Sequence, residues 1–594
     1  MHLVQGSSLP AERMRRPTIG PVAAPASERR SRARSVVTAA GGHPIATVAA
    51  VGGVLALAHL WWFTDVRALG SFNTDEAGYL ANGLRIHRQI GPDLKPLLVA
   101  IGGPSTGPLV PMLSMPILLV GPRSVSAAWS IQLVLYVATG MAAAGVARRL
   151  AGDGASLTAG LVALCLPAVV LASRSYQFAP AVAATLVGAV WALLASERGE
   201  RAIPMVAAGV AVGAMLLSRT MAVAFVPAIV LGAAVELEHT SRAKRHALVA
   251  TGIALLIAGP WWIARWSAIT GYLTSYGFGP RATDYGSTGL GGRISQRADA
   301  IWTDVRPPFL LLALVALIAG GIAWWRRRAA GPKADEDDPA PPLLDDRVRP
   351  FVAVATTVVV AAAVLVATAN RGTWFELPVE VLAAALVVAV VAAARPLPRR
   401  LLAASALVIA LLTVASSLTD RGGTFDGPRS TLYGGLAQDQ PLTSEADARF
   451  LSNEGSIRAE ASAAWWAAIT DLLAEIDRRG TPEHPVVVTM TGSSTLANTQ
   501  QLFLAAELAP VGLGGLEAPD TSDPNLQLDG YLTPTTGDLR RVVVVVDAAS
   551  AFPTDRGWPE VERTALDAGW EVAGRIPLPD GGEIRVLDHP DAGS

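Results

Sequence analysis

The feature that most constrains this chain is a succession of eleven apolar segments, at about 44–63, 125–147, 155–173, 179–196, 202–218, 220–236, 248–266, 308–325, 351–369, 378–394 and 401–418. A helix needs about 20 apolar residues to cross roughly 30 Å of hydrocarbon, because each backbone N–H and C=O must find its partner within the segment. The segments approach that length, so the expected fold is a polytopic α-helical membrane protein with about eleven transmembrane helices. Composition agrees: 51% of the residues are apolar and 16% charged, far from a globular balance. The net charge of -1 and the lack of a basic, aromatic-interleaved groove argue against a nucleic-acid partner. The single cysteine, Cys165, excludes an intrachain disulfide and a Cys-based metal site.

Residues 1–42 carry Arg13, Arg15, Arg16, Arg29, Arg30, Arg32 and Arg34 among Pro, Ala, Ser and Gly, a composition expected to form a disordered cytoplasmic tail. The apolar run from Pro108 to Val120 is short and interrupted by prolines, so it reads as an interfacial helix. With the tail inside, every second connection is basic: Arg148 and Arg149; Arg198 and Arg201; Arg242, Lys244 and Arg245; Arg326, Arg327 and Arg328; Arg395, Arg399 and Arg400. Positive charge collects in short cytoplasmic loops, and an odd number of crossings then places the C-terminus outside. The transmembrane domain is expected over 43–420, with a cytoplasmic linker at 326–350 that is acidic and Pro-rich. Two long outer loops, 64–124 and 267–307, are expected to roof a cavity.

Beyond residue 420 the pattern becomes that of a soluble α/β domain, 421–594. Helices are expected near 456–479, 494–508 and 557–568, and buried strands at Val486 to Met490 and Val542 to Asp547. The stretch Thr491-Gly492-Ser493-Ser494-Thr495 lies between strand and helix. It is either a holder of an anion or, more simply, a strand-to-helix turn.

Chemistry concentrates after the first membrane helix, at Phe72-Asn73-Thr74-Asp75-Glu76-Ala77-Gly78-Tyr79-Leu80. Two neighbours on a helix diverge by about 100°, so one carboxylate can act while the other orients or caps. Alternatively Thr74 and Asp75 cap the helix that runs to Arg88, with acids favoured in its first turn.

The Asp75-Glu76 pair with Tyr79, Gly107-Pro108-Leu109 before the interfacial helix, Gly259-Pro260-Trp261-Trp262 at a span end, and Asn370-Arg371 with Pro378 in a late outer loop occur in the order seen in one superfamily. Over residues 44 to 420 the chain resembles the GT-C integral membrane glycosyltransferases, and within them the protein O-mannosyltransferase and lipid A aminoarabinose transferase branch. The resemblance implies sugar transfer from a polyprenyl-phosphate donor to a cell-envelope acceptor (polysaccharide, lipid or protein) on the outer side of a bacterial plasma membrane. It implies the first acid, Asp75, as general base, beside Glu76. Cations would hold the departing phosphate: Lys95, Arg219 and Arg371 foremost, then Arg85 and Arg174, with Arg88, Arg265 and Arg281 on the same side. Each of these has a plainer role as a snorkelling side chain at a helix end. Tyr79, Trp262 and Trp374 would line a substrate groove in contact with membrane lipid, although tryptophans at span ends also serve as interfacial anchors.

Two departures stand out. Relatives show Lys-Pro-Pro where this chain has Lys95-Pro96-Leu97, and an Arg-Tyr pair or a Tyr where it has Trp374 and Phe375. No metal is demanded by the branch and no His-rich cluster argues for one; His87 reads as structural, and the expected cofactor set is empty. Rival readings are a lipid-linked-sugar flippase or transporter, which predicts polar or charged residues near mid-membrane, inverted repeats and interrupted helices, and a noncatalytic envelope assembly protein.

Overall fold

Proline placement decides where the helices of this chain bend. The expected span 155–173 is two helices, Asp153–Cys165 and Pro167–Ser173, which meet at 57°. Pro167 has no N–H to donate back, and its ring forces Leu166 into an extended conformation, φ -59 and ψ 130. The segment expected at 220–236 likewise begins as a 3-10 turn, Thr220–Phe225, and becomes an α-helix only at Val226–Glu236, with a proline in its first turn.

The structure is a computed structural model. It describes residues 43–64, 72, 74–102, 106–279, 282, 289–305, 346, 348–369, 374–393, 459–480, 484–494, 496–509, 513–519, 526–536, 539–548 and 557–593, with scattered positions in 309–322 and at 404 and 408. The expected tail 1–42, most of the linker 326–350, the segment 401–418 and the domain boundary near 421 lie outside the described residues.

Among the described residues four helices, beginning at Pro44, Val125, Ser241 and Arg349, are long and apolar enough to cross a membrane alone, and the bent pair makes five. Shorter apolar helices, Ala179–Ala195, Ala202–Ser218, Thr220–Glu236 and Leu377–Ala392, complete the bundle, and Leu109–Val120 has the short length expected of an interfacial helix. Small residues set the helix spacing. A side chain at Gly145 would overlap the Trp191 ring, and one at Gly209 would overlap the backbone at Ala250, the close approach typical of helices packed in lipid.

One end of the bundle gathers connections far apart in sequence: Arg198 bridges Glu238 at 2.8 Å and Asp346 at 2.7 Å. The other end carries the helices Thr74–Arg88, Leu94–Gly102 and Leu109–Val120, the breaks at Arg174 and Arg219, the segment Trp374 to Glu376, and the C-terminal domain.

That domain is a mixed sheet of β1 (Val486–Thr491), β2 (Leu513–Glu517), β3 (Thr535–Thr536), β4 (Leu539–Asp547), β5 (Glu571–Pro577) and β6 (Glu583–Asp588), in the order β2-β1-β4-β6-β5 with β3 pairing β4. β1, β2 and β4 run parallel; β6 and β5 add antiparallel partners. The valine runs of β1 and β4 are buried on both faces by the helices Ala459–Asp477, Thr499–Leu508 and Trp558–Asp567. The 491–495 segment is an ordinary turn as far as it is described. Ser494 Oγ accepts the Ala497 N–H at 3.1 Å, and Asn498 Oδ1 caps the helix by accepting from Gln500 and Gln501. Gly492 is required there, at φ +77, because a side chain would overlap the Val546 carbonyl.

Candidate active site

The helix Thr74–Arg88 opens on its two acids, and they take different environments, as the 100° divergence demands. Glu76 is fully buried, and its Oε1 accepts the Tyr176 N–H at 2.7 Å. Glu76 thus takes an anchoring position that pins the helix to the break after Ser173. Asp75 is exposed, yet protein surrounds it densely enough that desolvation raises its carboxyl pKa, with Arg219 pulling it back. The exposure of the carboxyl limits how large that shift can be.

Arg219 lies in an extended residue, φ -157 and ψ 139, between Ala202–Ser218 and the 3-10 turn. Ser218 Oγ bonds back to Ala214 O at 2.8 Å, a pattern that loosens helix ends. The guanidinium lies over the Phe375 ring at 4.0 Å and within electrostatic reach of Asp75 and Tyr79. Tyr79 leans on Phe178, with ring centroids 4.0 Å apart. Its phenol pKa is raised well above the ordinary value by burial first, then by Asp75, with Arg219 opposing and Tyr272 adding to the rise. Asp75, Tyr79, Arg219 and Tyr272 therefore form one electrostatic group.

Arg219 also opens on a small recess whose other walls include Met221, Phe225, Thr368, Trp374 and Phe375. Trp374 holds a left-handed backbone, φ 54, a conformation that costs a bulky residue on the order of 1–3 kcal/mol and persists only under tight packing. Support comes from behind: Arg297 of the Leu290–Val305 helix pairs with Glu376 and donates to Thr368 Oγ1 at 3.2 Å, all of them buried.

The other expected residues are distributed differently. Arg174 is buried, its Nε 3.3 Å from His59 Nδ1, so it belongs to the bundle interior. Arg85 bonds Asn82 Oδ1 at 3.0 Å and faces Phe503 of the C-terminal domain. Lys95 is exposed on Leu94–Gly102 and does not line the recess. Trp262 donates its indole N–H to Leu216 O at 3.2 Å and so braces the helix that ends at Arg219. Arg371 and Arg281 lie outside the described residues, as does the Thr74 side chain. Gly102, in the first of the expected outer loops, accepts from Arg265 at the end of the span that precedes the second. Sequence reasoning missed Tyr272, Arg297 and Glu376; an aromatic or charged side chain inside a long loop gives no signal of what it will face. Among the described residues there is no group of three His, Cys, Asp or Glu side chains able to hold a metal ion.

Gly107 has a structural reason. A side chain there would overlap Leu217 O and the Ser218 carbonyl group, in the backbone just before Arg219. Backbone cannot swing aside as a side chain can, so Gly107→Ala should destabilise the protein by about 1–3 kcal/mol. Melting curves of the variant and the wild type would show the loss.

A helical membrane bundle that holds an acid-bearing helix, an arginine at a broken helix and an aromatic recess at one end has the fold of the GT-C membrane glycosyltransferases, the superfamily that the sequence motifs resemble. Residues 106–264 match the family model of dolichyl-phosphate-mannose-protein mannosyltransferases. ArnT from Cupriavidus metallidurans in the apo state superposes with a TM-score of 0.55 at 13% identity, over 91% of this chain and 97% of that one. The same protein bound to undecaprenyl phosphate gives 0.53 at 13% identity, with 91% and 97% covered. The arabinofuranosyltransferase AftD from Mycobacteria gives 0.50 at 14% identity, over 92% of this chain and 40% of that one. No curated protein matches the sequence.

Proposed function

We propose that the protein is a membrane glycosyltransferase that moves a sugar from a polyprenyl-phosphate donor to a cell-envelope acceptor on the outer side of the membrane. Asp75 is the general base. The observation that carries this reading is Arg219, which acts electrostatically on Asp75 while its guanidinium stacks on Phe375 in the wall of an apolar recess. A lipid-linked phosphate needs this juxtaposition: greasy walls for the prenyl chain, a cation for the head, and a base within reach of the anomeric carbon.

In the reaction, Asp75 takes the proton of an acceptor hydroxyl as that oxygen attacks the anomeric carbon. The bond from that carbon to the phosphate oxygen breaks, and the polyprenyl phosphate leaves with the electron pair. Arg219 offsets the charge that develops on the leaving oxygen. The acid pair lies at the same end of the bundle as the C-terminal domain, and the Arg198 cluster at the other; the bias of basic residues to the cytoplasm supports an outer position for the acid end. The binding of undecaprenyl phosphate by ArnT supports the choice of donor class.

The test is the lipid profile of a strain lacking the protein. A polyprenyl-phosphate sugar should accumulate and return to its normal level when the gene is restored. An unchanged pool of every lipid-linked sugar, with an unaltered envelope, would overturn the reading.

A further inference from the structure

The helix that carries Asp75 is not held by the membrane bundle alone. Its outer flank packs against Thr499–Leu508, a helix of the C-terminal domain, which runs alongside it in the same direction. Leu504, fully buried, joins Ala77, Leu80, Ala81 and Leu84 in one apolar cluster. Polar contacts fix both ends. At the start, Gln501 Nε2 donates to Phe72 O, Phe72 meets Trp466 edge-to-face at 6.3 Å, and Gly78 leaves room for the Gln500 amide, which any side chain at 78 would crowd. At the finish, the Glu507 carboxylate, 7% exposed, takes Arg88 at 3.1 Å and Arg123 at 2.8 Å. Arg123 follows the interfacial helix Leu109–Val120, so this one carboxylate joins three elements.

We infer that Glu507 is a positioning residue: the C-terminal domain grips the Asp75 helix at both ends, and that grip sets where the base stands relative to Arg219 and the recess. The inference rests on the transferase reading for its kinetic consequence but not for the grip itself. Distance makes the consequence sharp, since a misplacement of about 1 Å at a reacting group can cost on the order of a hundredfold in rate. The recess for the donor is built from other elements, so donor binding should be largely spared. Arg88 and Arg123 are 42% and 32% exposed and regain water when Glu507 is neutralised, so Glu507→Gln is expected to fold.

The experiment uses the full-length protein in lipid nanodiscs and compares wild type, Glu507→Gln, Glu507→Asp and Gln501→Leu. Amide hydrogen exchange is followed in 74–88 and in the Arg349–Ala367 helix as an internal control, and turnover is measured per folded molecule with a labelled polyprenyl-phosphate sugar. Glu507→Gln should speed exchange within 74–88 but not in the control helix. It should lower kcat about tenfold or more and leave the donor KM within about twofold; Glu507→Asp, which keeps the charge, should recover most of both. Unchanged exchange in 74–88, or faster exchange with unaltered kcat, would overturn the inference. If exchange rises in the control helix as well, Gln501→Leu decides: a local loosening of 74–88 with lower kcat supports the grip, and any other pattern overturns it. Exchange needs no substrate, so a wild type that transfers no sugar sinks the transferase reading while exchange alone decides the grip.

Discussion

Asp75→Asn should abolish sugar transfer to within background, a fall on the order of 10²–10⁴-fold in kcat, with the fold intact. Asparagine keeps the size of the side chain but cannot take a proton. Stability separates this loss from unfolding, and its sign follows from the environment. Desolvation raises the Asp75 carboxyl pKa above the ordinary 3.8, and Arg219 only partly opposes it. A raised carboxyl pKa means that the fold favours the neutral acid, so the ionised group costs stability once pH climbs through that interval. At neutral pH Asp75→Asn removes that cost, and its melting temperature should equal or exceed the wild type's. The same shift places the acid limb of kcat/KM above the ordinary carboxylate range. Unchanged transfer by Asp75→Asn in membranes supplied with labelled donor would remove Asp75 as the base.

Arg219→Ala should be the next most damaging change, lowering kcat/KM on the order of 10²–10³-fold, the scale of losing one preorganised stabiliser of developing negative charge. Arg219→Lys restores a charge but neither the planar fork nor the stacking on Phe375, so it should recover only part of the loss. A second signature is specific to this geometry. The guanidinium holds the Asp75 pKa down, so removing it should move the acid limb to higher pH. A pH–rate profile for Arg219→Gln that keeps the wild-type acid limb would show that the two groups do not act together.

The membrane class, the short 109–120 helix and the α/β character of the C-terminal domain were all legible in the sequence. Each rests on local rules: an apolar run satisfies its own backbone in lipid, and a valine run between turns makes a strand buried on both faces. The superfamily was legible in the order of its motifs, and the sequence offers Asp75, Tyr79, Arg219 and Trp374 among its candidates. Apart from the resemblance, residue spacing could not tell Asp75 from Glu76, because a difference of one residue becomes a difference of environment only when neighbours arrive. One acid meets the backbone of Tyr176, a hundred residues away, and the other meets Arg219. Nor could it sort the cations, since Arg85, Arg174 and Arg219 each end an apolar stretch or helix and differ only in what packs opposite them. Tertiary structure alone decided that Arg174 belongs to the bundle interior, that Arg85 and Arg88 face the C-terminal domain, and that Glu507 reaches back across more than 400 residues to the helix that carries Asp75. Patterns of hydrophobicity fix which face of an element is buried; charge pairing depends on distances in space, which such patterns do not encode.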